Sequence, residues 1–137
     1  MSCKTIWHIF QTGFATFGGI VGVLLGGYDG FLYTLIALII IDYASGVMCA
    51  IIEKKLSSEV GFRGIFKKIM VLVLVGIGHA LDTHVIGFGS TIRMMVIFFY
   101  LSNEGVSILE NASRIGLKIP EGLKQILSQI HKGGKGK

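Results

Sequence analysis

Eleven of the thirteen lysines and arginines fall in two places, the segment Lys54 to Lys68 and the stretch from Arg114 onward, and long apolar runs fill the space around them. Basic clusters separated by apolar runs are topology signals in membrane proteins, where they favour the cytoplasmic side. Composition points the same way. The chain has 137 residues, 52% hydrophobic and only 15% charged, with a mean hydropathy of +0.71 and one proline. That leaves too little polar surface to coat a soluble globule. The net charge of +5 and pI near 9.4 come without the aromatic-interleaved basic motif of nucleic-acid binders, so nucleic acid is not an expected partner. Cys3 and Cys49 have neither disulfide nor metal-ligand spacing and read as passive thiols.

Four apolar blocks are expected to span the bilayer as helices, since about twenty residues cross its core. They run from about Ile6 to Leu25, Phe31 to Ile52, Ile69 to Ile86 and Thr91 to Asn111, with Glu53 to Lys68 read as a charged loop. A signal peptide is the competing reading of the first block, but its length and the absence of a small-x-small cleavage site argue for a retained span. Two crossings between the basic clusters keep both on one side, and four crossings in all put both termini in the cytoplasm. The predicted fold is thus an all-α, multi-pass bundle. A short amphipathic helix over Pro120 to Ile130 follows, with Leu123, Ile126, Leu127 and Ile130 at helical spacing. The tail 131–137 holds only glycine and lysine after His131 and reads as a solvated basic end.

Polar residues at membrane depth are the candidate functional positions, because burying a charge in lipid is costly unless a partner, water or a proton meets it. The second block carries Asp42 with Ser45 and Gly46 on one side, and the third carries His79 and Asp82. The fourth places Asn103, Ser107, Glu110 and Arg114 on a common face, with Glu104 beside Asn103. Asp82 is expected to pair with Arg93, Glu110 with Arg114, and Asp42 to contact the fourth block near Asn103 and Glu104. Gly18, Gly22 and Gly26 recur every four residues, a small-residue face suited to close helix packing within the chain or between copies. No nucleophile and base stand at catalytic spacing, so no enzyme and no cofactor is expected.

Asp42-Tyr43-Ala44-Ser45-Gly46, Lys54-Lys55-Leu56-Ser57-Ser58 and Gly61-Phe62-Arg63-Gly64-Ile65-Phe66-Lys67-Lys68 resemble the signature of phage lysis and toxin-secretion holins of clostridial and bacillar type. Asn103-Glu104-Gly105-Val106-Ser107-Ile108-Leu109-Glu110-Asn111, then Gly116 to Glu121 and Leu123, extend the resemblance, which covers about Tyr33 to Leu127. It implies a small bacterial cytoplasmic-membrane protein that oligomerises and permeabilises the membrane at a set moment. An endolysin then reaches the peptidoglycan without needing direct contact, or a toxin is released. A small ion or proton channel or transporter and a non-conducting antiholin-type partner are the alternatives.

Overall fold

The computed structural model describes residues 2–126 and 129. Among them the secondary structure is entirely helical: α1 (Cys3–Leu24), α2 (Gly30–Ile52), α3 (Ser58–Ala80), a π-helical segment (Leu81–Ile86) continuing α3, and α4 (Thr91–Ile115). Residues 121–126 form a further helical stretch. The predicted tail 131–137 and the end of the predicted amphipathic helix lie outside the described residues.

Local chemistry sets the boundaries. Ser2, Asp29 and Ser57 cap α1, α2 and α3 by accepting from the backbone N–H of Thr5, Leu32 and Val60, which satisfies N-terminal donors that have no helical partner. Ser57 corrects the sequence reading. Helix α3 starts at Ser58 and not near Ile69, so Arg63, Lys67 and Lys68 stand on a helix, and the loop shrinks to a turn with Lys54 at φ 58°. Glu59 in the first turn favours this start through the helix dipole.

Among the described residues, three helices are long and apolar enough to cross a membrane: Gly30–Ile52, α3 with its π-helical extension (Ser58–Ile86), and Thr91–Ile115. Helix α1 has the length, at 22 residues. However, Lys4, His8, Gln11, Thr12 and Thr16 form a polar arc along it, and its glycines dilute the apolar remainder.

Helix α4 packs chiefly on α2 and next on α3, around a thin core of Leu25, Leu32, Leu35, Ile39, Val71, Val75 and Ile97. Large apolar side chains cover the outside instead, with Phe14 71% and Phe88 79% exposed. That inversion suits lipid, in which helices gain little by hiding leucine from solvent and rely on close packing and polar contacts. The close packing is at Gly78, where an added Cβ would lie 3.0 Å from the Arg93 Cα. Gly78→Leu is therefore expected to push α3 off α4 and cost about 2–3 kcal/mol, measured as a lower thermal midpoint in detergent. Gly105→Ala, on α4 with nothing within 4 Å of the new Cβ, serves as the neutral control.

Candidate functional site

The buried stripes of the three long helices run at spacings of three, four and seven residues: Leu32, Leu35, Ile39, Asp42 and Cys49 on α2, Val71, Val75 and Gly78 on α3, and Arg93, Ile97, Glu104 and Asn111 on α4, where Val106 is buried beside the stripe. Toward one end these stripes turn from apolar to polar. Lys68, one turn before Val71 on the α3 stripe, meets Asp42 from α2 and Glu104 from α4.

The Lys68 ammonium donates to Asp42 Oδ2 and, at 2.6 Å, to Glu104 Oε2. The three side chains are 21%, 7% and 6% exposed. Asn111 completes the cluster, donating to Asp42 Oδ1 at 3.0 Å and to Ser45 Oγ at 2.9 Å. Its own carbonyl accepts from Cys49 Sγ at 3.3 Å. Two carboxyl groups thus share one ammonium where three long helices meet. Lysine suits that position because its compact charge has three donors on a long flexible stem. A cleft of about 220 Å³, lined by Asp42, Gly46, Lys68, Ser107 and Asn111 among others, opens beside the cluster.

A second polar cluster lies at the other end of the bundle. Arg93, 3% exposed, donates to the Leu25 carbonyl at 2.6 Å, the Gly27 carbonyl at 2.9 Å and Asp29 Oδ2 at 2.8 Å. The α1–α2 turn is thereby fastened to the start of α4. The hydrogen bond from Arg93 holds the Asp29 carboxyl below its usual value. Asp82 accepts from the Ile92 and Arg93 backbone N–H at 3.0 and 2.9 Å. It caps α4 from the π-helical segment, where Ser90 makes no side-chain cap. The half-buried His79 lies beside Gly26, near Arg93.

The structure sorts the sequence-stripe residues as follows. Asp42, Ser45, Glu104 and Ser107 gather in or around the Lys68 cluster, and Gly46 lines its cleft. Asp82 and Arg93 meet, but through the α4 backbone; the guanidinium goes to Asp29, which corrects the expected Asp82–Arg93 ion pair. Asn103 and Glu110 are exposed, because α4 packs through Glu104, Ser107 and Asn111, a face that shares only Ser107 with the one expected. Arg114 donates to both Glu53 carboxylate oxygens, at 3.0 and 2.9 Å, and the Glu110 charge acts on it as well.

The glycine face is also revised. The Tyr28 ring covers Gly22, where a Cβ would meet it at 2.5 Å, and the Tyr28 hydroxyl donates to the Gly18 carbonyl at 2.7 Å. Gly26 lies past the end of α1 with φ +90°, too close to His79 and Arg93 for a side chain. Lys68 and Asn111 are the residues that sequence reasoning missed, and their register with the apolar stripes was the available signal. Among the described residues, no group of three His, Cys, Asp or Glu side chains converges to hold a metal.

Comparison with known proteins gives a consistent answer. The model of the bacteriophage holin family matches residues 19–132. An uncharacterized protein of Listeria monocytogenes is 45% identical over 87% of this chain and 84% of its own length. An uncharacterized 14.9 kDa protein of Clostridium perfringens is 36% identical over 93% of this chain and 97% of its own. A protein of Bacillus phage phi105 named "Probable holin" is 34% identical over 70% of each chain. No solved structure matches.

Proposed function

The chain belongs to the bacteriophage holin family, and we propose that it oligomerises in the bacterial cytoplasmic membrane, permeabilises it at a set time and so gives an endolysin access to the peptidoglycan. The observation that carries this reading is the Lys68–Asp42–Glu104 cluster with Asn111, a polar seam closed inside a bundle whose outside is apolar. While the helices pack on one another the seam is satisfied internally. If neighbouring copies separate them, the same side chains can face water and line a lesion. Permeabilisation is then a population shift between closed and assembled states, driven by protein density in the membrane. Such a role is a non-enzymatic one.

In the closed and the assembled state alike, α1 is the fourth crossing. Its 22 residues reach about 33 Å, and its Lys4, His8, Gln11 and Thr12 arc then faces water or neighbouring copies. This puts both termini in the cytoplasm. Release of a toxin, in place of lysis, needs only a different cargo.

The test is induced expression in a bacterium, following membrane potential and culture density. Wild type is expected to depolarise the membrane abruptly after a delay and to lyse the culture only with a co-expressed endolysin. The Asp42→Asn/Glu104→Gln variant is expected to shift that delay. Cys3 should stay shielded from a membrane-impermeant maleimide in intact cells before depolarisation. Normal growth and potential despite abundant membrane-inserted protein would sink autonomous permeabilisation and favour a non-conducting partner.

A further inference from the structure

We infer that a groove on the outer face of α3 and α4 is a binding site for one anionic two-chain phospholipid, with its phosphate between Arg63 and Lys67 and an acyl chain lying along Phe66, Met70, Leu74 and Tyr100. The groove has a volume of about 940 Å³ and an almost wholly apolar floor, with charged residues at one end only. Depth explains why those charges sit there. Helix α3 with its π-helical extension is 29 residues long, about 43 Å, against a hydrocarbon core of about 30 Å. The surplus is roughly nine residues. The other end of this span, Leu81 to Ile86, carries Asp82, Thr83 and His84 but no lysine or arginine, whereas the first turns carry Glu59, Arg63, Lys67 and Lys68, so most of the surplus falls on those first turns, and Arg63 and Lys67 come to the headgroup layer.

Charge complementarity selects the occupant. Arg63 and Lys67 are one turn apart and exposed, unlike Lys68, which turns inward to Asp42 and Glu104. Two cations in the headgroup layer attract an anionic lipid. Glu59, 3.4 Å from Arg63, stands at the rim. There it steadies the guanidinium and can accept from a hydroxyl-bearing headgroup such as phosphatidylglycerol. A zwitterionic headgroup offers its cation to the same two positive residues and is disfavoured. The exposed rings of Phe62 and Phe66 stack along the groove at 6.3 Å between centroids, giving a stiff wall for a saturated chain. This site is separate from the closed polar seam and does not depend on whether the seam ever opens.

Native mass spectrometry of the full chain, released from micelles holding equal phosphatidylglycerol and phosphatidylcholine with the same acyl chains, tests the proposal. One phosphatidylglycerol is expected to survive on the wild type, in at least about fivefold excess over phosphatidylcholine. Arg63→Gln/Lys67→Gln should abolish that preference without changing helicity, since both side chains are exposed. Equal retention of the two lipids, or an unchanged preference in the double variant, overturns it. A photo-crosslinker in place of Phe66, illuminated in phosphatidylglycerol vesicles, separates the occupants. A lipid adduct supports the site, whereas a covalent dimer assigns the groove to a second copy and overturns it.

Discussion

Replacing Lys68 with methionine is expected to be among the most damaging single changes in the chain. It leaves Asp42 and Glu104, at 7% and 6% side-chain exposure, facing one another without a cation. Breaking a buried ion pair from one side typically costs about 3–5 kcal/mol, because the surviving charge is stranded away from water. The expected result is a large fall in membrane-inserted protein and in the thermal midpoint in detergent. Asp42→Asn should cost less, since Lys68 keeps Glu104 and Asn111 keeps an amide oxygen to donate to. The triple change Asp42→Asn/Lys68→Met/Glu104→Gln should recover most of the lost stability, because neutral partners of similar volume do as well as ions in such sites. Recovery of stability without recovery of timed depolarisation would separate the two roles of the cluster: the ions hold the bundle no better than amides, but they supply the face that water can wet. If Lys68→Met were as stable as wild type, the cluster would hold nothing together.

How much of this was legible in the sequence follows from the physics of each feature. Helices α2 and α4 matched their apolar runs to within a few residues, since lipid enforces length and hydropathy together. Helix α3 did not. Hydropathy sees a charged stretch from Lys54 to Lys68 and reports a loop, while the Ser57 cap and the amphipathic spacing of Phe62, Ile65 and Phe66 are enough to start a helix eleven residues early. The same oversight hid Lys68, which looked like a topology signal in a loop yet falls on the Val71–Val75–Gly78 stripe. Asp42 was recognisable because a lone carboxylate in an apolar run needs a partner. Identifying the partner required knowing which face of α4 packs. Glu104 was within the expected contact, but Asn103 and Glu110, expected on the same face as Ser107, turn outward, and Asn111 takes the inward place. The Arg93 contacts were out of reach for a different reason: two of its three acceptor groups are backbone carbonyls in a turn, and backbone acceptors leave no trace in residue identity.

That turn is the subject of the second expectation. Arg93→Leu should release the Leu25–Asp29 segment from the head of α4. It removes three donors at once and strands the Leu25 carbonyl under a buried side chain, a loss of about 3 kcal/mol or more. The cap of α2 should survive, since Asp29 Oδ1 still accepts from Leu32 N–H at 2.8 Å, so the damage is confined to the junction. Arg93→Lys is the informative variant. Lysine can reach one acceptor as a point charge but cannot hold Leu25, Gly27 and Asp29 together, because only the guanidinium presents donors in a rigid plane. Hydrogen exchange should show fast backbone amides at Gly26 to Asp29 in both variants, with α2 and α4 still protected. Because this contact fixes where α1 leaves the bundle, freeing it would, on the proposed mechanism, lower the cost of moving α1 into an assembly. Depolarisation in cells expressing Arg93→Lys at wild-type abundance should therefore begin earlier. Unchanged exchange in Arg93→Lys would mean that the ion pair with Asp29 alone secures the turn, and a later onset despite fast exchange would mean that α1 must stay fastened for assembly to proceed.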